Sequence, residues 1–202
     1  MPSATTSATP PPAIQTATPA DVDRVIAVLG LAFCMDPGTR WAFPDPLQYW
    51  SVWPDFVRAF GGHAFSQGTA YYAGEFAAAA LWLPPGAHPD EEALGTLMQR
   101  SIPATHQDDV FAVLEQMGDY HPTEPHWYLP LIGVDPVLQG KGYGSALLQH
   151  ALAQADRDHT LAYLESSSPR NNPLYERHGF EAVGSIQAGT SPTFWPMVRK
   201  PR

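Results

Sequence analysis

The apolar positions of the chain fall into two rhythms. Val22, Val25, Ile26, Leu29 and Phe33 recur every three or four residues, the spacing of one helical face, with Asp21 and Asp23 in the first turn. This spacing predicts a helix that opens at Thr18 or Pro19 and ends at Asp36-Pro37-Gly38, behind a short first strand at 13–17. Trp50, Trp53, Phe56 and Phe60 mark a second helical stretch over 47–65, which Pro54 is expected to break or kink. The rhythm then changes: 68–73 and 76–83 read as two strands around Gly74-Glu75, stopped by Pro84-Pro85-Gly86. Helical spacing returns over 90–100 and 107–117, split by Pro103. A fourth strand is expected at 126–134. Tyr143, Leu147, Ala151, Leu152 and Ala155 mark the buried face of the helix after it. A fifth strand at 160–166, a short helix at 173–178 capped by Gly179, and a hairpin of 181–187 with 193–199 close the chain.

Strand, helix and strand between 126 and 166 imply a βαβ-like unit, hence an α/β (α+β) fold with a mixed sheet and helices on both faces. At 202 residues one domain is expected, over 13–202, behind a Ser/Thr/Ala/Pro-rich flexible tail at 1–12.

Composition narrows the function. With 11 basic and 20 acidic residues the net charge is −9, and no basic stripe is present, so nucleic acid is an unsuitable partner and a cationic small molecule a tolerable one. No segment reaches the ~18 apolar residues of a membrane span, and the first residues lack the charged and apolar regions of a secretory signal. A cytoplasmic location is the default expectation. The single cysteine, Cys34, reads as a buried apolar thiol, and the eight histidines show no paired ligand spacing, so no metal is implied.

The chemistry concentrates in VDPVLQGKGYGSALL, residues 134–148. A glycine-rich turn between a strand and a helix points backbone N–H groups at one spot, ahead of the positive end of the helix dipole, and so forms an anion site. A P-loop would need GxxxxGK followed by Ser or Thr, which is not here. A dinucleotide fingerprint would need a sixth-place glycine, where Ser145 stands.

Gln139-Gly140-Lys141-Gly142-Tyr143-Gly144 matches in full the pyrophosphate loop of the GNAT superfamily of N-acetyltransferases, and Asn171-Asn172-Pro173-Leu174-Tyr175-Glu176-Arg177-His178-Gly179-Phe180 resembles that family's second signature. The Leu81–Gly86 segment is similar to the branch that includes puromycin acetyltransferase. The resemblance covers roughly residues 13 to 199 and implies a mixed, mostly antiparallel sheet of six or seven strands. It implies acetyl-CoA as co-substrate, direct attack by an amine in a ternary complex, and, by family habit, a homodimer. The acceptor is read as a small-molecule amine ahead of a protein, with a protein N-terminus or lysine, or an antibiotic, left open.

Residue by residue, the resemblance assigns Gln139, Gly140, Lys141, Gly142, Tyr143, Gly144 and Ser145 to the pyrophosphate, with Lys141 either on a phosphate or in solvent. Leu131, Ile132, Gly133 and Val134 would pair with the pantetheine arm, an N–H near Ile132 would meet the developing oxyanion, and Pro130 suits the bulge that splays the fourth and fifth strands. Tyr175 is matched to the tyrosine beside the coenzyme sulfur. Asn171 is the expected ligand contact and Asn172 the helix cap. The glutamate that many members carry on the fourth strand falls near Tyr128, which is not a carboxylate. Glu165 on the fifth strand is therefore the candidate base, with a structural or substrate-binding acid as the alternative, and His126 is expected to face solvent. Trp50, with Trp41 and Trp53, the helices at 90–117, and Trp127 and Tyr128 are expected around the acceptor, with a core position an equal alternative for any one of Trp41, Trp50 and Trp53. Two rivals stay open: a non-catalytic acyl-CoA-binding or regulatory protein, and transfer with another acyl donor or to a hydroxyl.

Overall fold

The computed structural model of the protein describes residues 12–202; residues 1–11, nearly all of the expected tail, lie outside it. In chain order the elements are β1 (Ile14–Thr16), α1 (Val22–Phe33), α2 (Pro37–Ala42), α3 (Pro46–Gly61), α4 (His63–Gln67), β2 (Ala70–Ala73), β3 (Ala78–Leu83), α5 (Glu91–Ser101), α6 (Ala104–Tyr120), β4 (His126–Val134), α7 (Tyr143–Arg157), β5 (Leu161–Ser166), α8 (Asn172–Arg177), β6 (Glu181–Ala182) and β7 (Trp195–Arg199).

Among the described residues the strands form one seven-stranded sheet in the order β1-β2-β3-β4-β5-β7-β6, and only β4 and β5 run parallel. The mixed, mostly antiparallel sheet expected from the sequence is what forms. Alternation along β3 assigns the two faces. Ala79, Leu81 and Leu83 pack with α1, α3, α5 and α6, whereas Ala78, Ala80 and Trp82 pack with α7 and Phe180. All six are buried, so β3 is a central strand with helices on both sides.

Two local expectations are corrected. Pro54 does not break α3, which runs through it, and the break falls at Gly62. Tyr49, Val52, Trp53 and Val57 of α3 are buried in the core. At about 1.5–3 kcal/mol each, their burial outweighs the roughly 3 kcal/mol cost of an interior proline. Asp36-Pro37-Gly38 ends α1 but also starts α2. Asp36 is the N-cap and accepts from the Thr39 N–H at 3.0 Å, and Pro37 takes the first turn.

The feature that makes the site is a slip in β4. Leu81 pairs with Leu131, but Leu83 pairs with Tyr128, so two residues on β3 span three on β4. Trp127 and Leu129 face α7, while Leu131, two residues further on, belongs to the opposite face. Pro130 sits at that change of phase, where its missing N–H costs no ladder bond. Beyond it the strands part: β5 pairs with β4 only at His126, Trp127 and Tyr128. α1 lies close over the far end of β4 because Gly133 has no side chain; a Cβ there would stand 2.5 Å from the Cβ of Ala32.

Candidate active site

Two cavities open on the gap between β4 and β5. The first is a groove lined by Ile132, Gly133, Val134, Gln139, Gly140, Gly142, Tyr143, Gly144, Ser145, Arg170, Asn171, Leu174, Tyr175 and Arg177. Its local build follows from the sequence. Asp135 closes β4 by accepting from the Val137 N–H at 3.0 Å. One 3-10 turn at Pro136–Leu138 leads into the glycines. Gly142 is the N-cap of α7 at φ +86°, a left-handed conformation that excludes most side chains, and no side chain caps the helix. The first-turn N–H groups of a 15-residue helix therefore face the groove with the dipole behind them. Arg170 and Arg177 add positive charge. This donor set fits a pyrophosphate, and the unpaired stretch of β4 fits an extended arm carrying amides.

The second cavity lies on the other side of the gap, under α2, α3, α5 and α6. Phe33, Trp41, Phe43, Phe56, Phe60, Met98, Val110, Val113, Leu114, Met117 and Phe194 form most of its wall; Asp36, Thr39, Glu165, Ser167, Asn171 and Tyr175 are its polar members. Phe33, Asp36, Ile132, Asn171 and Tyr175 line both cavities. Tyr175 is buried, with its ring edge-on to Phe180 at 6.2 Å. Burial, and next the nearby Asp36 carboxylate, push its phenol well above the ordinary tyrosine range, so it stays protonated and can donate.

Glu165 is almost wholly buried, its side chain 3% exposed. The Tyr128 hydroxyl donates to its Oε2 at 2.9 Å, and His121 Nε2 lies 3.2 Å from its Oε1. His121 caps the C-terminus of α6 and packs edge-on to Tyr128 and tilted against Tyr163, both at 4.6 Å, and tilted against His126 at 5.5 Å. Burial raises Tyr128 and Tyr163, and the Glu165 charge raises them further; burial lowers His126, which bonds through Nδ1 to the Glu124 carbonyl at 2.9 Å. A carboxylate is thus held at the cavity wall by the Tyr128 phenol, with an imidazole behind it that is 26% exposed.

Several sequence assignments change place. Trp127 faces α7, because it is on the opposite face from Tyr128; it is buried and its Nε1 donates to Asp158 at 3.3 Å. Trp50 lies on the outer side of α3, 47% exposed, and lines neither cavity. Trp53 is core, donating to the Ile26 carbonyl at 3.1 Å, so of the three tryptophans only Trp41 reaches the second cavity. Tyr128 touches the site through Glu165 rather than by lining it. The Leu131 side chain lines the second cavity and not the groove, because the bulge turns it over; Lys141 is exposed and lines neither. Asn171, not Asn172, is the N-cap of α8, and its side chain makes no cap bond, which leaves it to the cavities. Asp36, His121, Arg170 and Arg177 were not among the expected site residues. Asp36 was visible as a charged residue in a turn; Arg177 stood inside the second signature and Arg170 directly before it. Nothing in the spacing of His121 linked it to Glu165.

Among the described residues no helix is long and apolar enough to cross a membrane. Residues 104–182 match the model of the acetyltransferase (GNAT) domain. An uncharacterized N-acetyltransferase of Schizosaccharomyces pombe is 29% identical over 138 residues, 59% of this chain and 53% of that protein, so the chain spans about half the length of the relative it matches. A Corynebacterium glutamicum structure described as histone acetyltransferase HPA2 and related acetyltransferase superposes with a TM-score of 0.69 at 26% identity, over 95% of this chain and 97% of the other. Arylalkylamine N-acetyltransferase 2 from Aedes aegypti shares the fold at a TM-score of 0.66 and 15% identity, over 94% and 99%. These matches speak to the superfamily and not to its puromycin branch. Glycine loop, split sheet and domain match agree: residues 104–182 match the acetyltransferase (GNAT) domain, and the chain shares the fold of the acetyltransferase it superposes on at 26% identity.

Proposed function

We propose that the protein is an acetyl-CoA-dependent N-acetyltransferase acting on a small-molecule primary amine by direct attack in a ternary complex. The observation that carries this reading is the meeting of the two cavities at Tyr175, Ile132, Asn171 and Asp36. A co-substrate in the groove and an acceptor in the second cavity would reach each other only there.

The residues divide the work. The glycine loop and the start of α7 hold the pyrophosphate, and the free edge of β4 holds the arm. The N–H near Ile132 stabilises the oxyanion as the C–N bond forms. Glu165 takes the proton that the amine loses, and the C–S bond breaks with the sulfur beside the Tyr175 hydroxyl. The proton lost from nitrogen balances the one the thiol gains. A free alkylamine has a pKa of ~10.4, and an apolar cavity disfavours its charged form, so the wall around Glu165 assists deprotonation. Positioning and the oxyanion donor supply most of the rate.

Calorimetric titration with acetyl-CoA, with NADH as control, tests the groove. Micromolar binding that is lost in Gly142→Asp supports it, and no binding rejects it. Thiol release with an amine panel tests the transfer. Binding without turnover of any acceptor would favour the non-catalytic acyl-CoA-binding reading. Turnover only with longer acyl donors, or with alcohols, would favour a different transfer on this fold.

A further inference from the structure

Resting on that reading, the composition of the second cavity identifies the acceptor more closely. We infer that the acceptor is a monoamine with an aryl or alkyl body, rather than a polyamine, an amino sugar or a peptide lysine.

Of the cavity's two ionisable carboxylates, Asp36 is shared with the co-substrate groove, whereas Glu165 lines the second cavity alone, beside His121 at the end of α6. Ser167, the residue after β5, donates to Asp36 Oδ2, and Asp36 is close enough to raise the Tyr175 phenol. Glu165 is on β5 itself. One ammonium is therefore matched by acid where the chemistry would occur. The wall supplied by α3, α5 and α6 (Phe56, Phe60, Met98, Val110, Val113 and Met117) holds no charged residue and no side-chain hydrogen-bond donor or acceptor beyond thioether sulfur.

That wall discriminates by what it would leave unpaired. A second ammonium from a polyamine, the hydroxyls of an amino sugar or the backbone amides of a peptide would lose water there and gain no partner, a cost that rejects ligands more strongly than a missing contact does. A hydrocarbon body loses nothing and gains burial. The phenyl faces of Phe56 and Phe60 are stacked at 5.3 Å and 26°, and an aryl group can continue the stack. The acidic surface, with net charge −9, draws any amine but does not distinguish among them.

The test is thiol release from acetyl-CoA with propylamine, butylamine, hexylamine, 2-phenylethylamine, spermidine, glucosamine and a lysine-containing peptide, paired with calorimetric titration of hexylamine. The expected kcat/KM rises about fourfold for each added methylene. Hexylamine and 2-phenylethylamine then exceed spermidine, glucosamine and the peptide at least about tenfold. Met117→Glu narrows the gap by lowering hexylamine and raising spermidine. A flat alkyl series, or preference for spermidine, glucosamine or the peptide, overturns the inference and leaves acetyl transfer standing. Hexylamine binding without turnover of any amine supports the cavity assignment and overturns the transfer. Neither binding nor turnover overturns both.

Discussion

Tyr128 and Glu165 stand on the two parallel strands of the sheet and are joined by a 2.9 Å hydrogen bond across the point where those strands begin to separate. The phenol holds a carboxylate that comes from the neighbouring strand.

If Glu165 receives the amine proton, Glu165→Gln lowers kcat/KM by about 10²-fold at pH 7. The deficit shrinks as pH rises toward the amine pKa of ~10.4, because free amine then needs no base. Tyr128→Phe, which keeps the acid and removes its donor, gives a smaller loss. A pH–rate profile of both variants checks the order; an equal deficit at every pH would exclude Glu165 as the base.

Tyr175→Phe removes one hydroxyl at the junction of the cavities. We expect kcat to fall about 10²-fold while the acetyl-CoA dissociation constant changes less than about threefold, since a leaving-group donor acts on the transition state and not on ground-state binding. Stopped-flow thiol release and calorimetry separate the two quantities.

Trp41→Ala raises acceptor KM about tenfold or more by opening the apolar wall, whereas Trp50→Ala leaves acceptor KM unchanged. Trp127→Phe lowers melting temperature without altering acceptor KM, since its indole packs against α7 and bonds Asp158. Equal KM effects at Trp41 and Trp50 would misplace the cavity.

Gly133→Val tests the close approach of α1 to β4. Its first added carbon alone would lie 2.5 Å from Ala32, so overpacking costs about 1–3 kcal/mol or more, read as a lower midpoint in urea.

Acid weakens the fold through histidine. His178 accepts or shares a 2.7 Å hydrogen bond with Ser145 in the first turn of α7. Burial holds it below the ordinary histidine range, and Arg177, Arg199 and Arg202 hold it lower still. His126 is lowered chiefly by burial. A depressed histidine binds its proton less readily when folded, so stability is full above the unfolded pKa of ~6.5 and falls as pH drops through the folded value. Urea midpoints should therefore decline from pH 7 to pH 5, and less steeply in His178→Gln.

How much of this was legible in the chain follows from the kind of signal each part leaves. β4 was readable to the residue, because a mostly apolar run of nine residues ends at Asp135-Pro136, ahead of the glycine turn. The phosphate loop was readable because positive φ at Gly140 and Gly142 restricts sequence directly. The acceptor cavity was not. Trp41, Trp50 and Trp53 have the same composition, and only packing separates the one that lines the cavity from the other two. The faces of Trp127 and Leu131 were also hidden, because alternation predicts a face only while its phase holds, and the bulge at Pro130 shifts it. His121 and Glu165 are brought together by the end of α6 meeting β5, a tertiary event with no periodicity behind it.

Three rungs join β1–β4 to β5–β7–β6, and past the last of them β4 keeps a neighbour on one side only. An unpaired strand at the rim of a protein is a template on which other chains can assemble. Here the unpaired edge is at the centre of the sheet, beneath α1 and between two walled cavities. A slender ligand can run along it, while another folded chain cannot approach it. The molecule keeps the adhesive property of a bare strand and directs it inward.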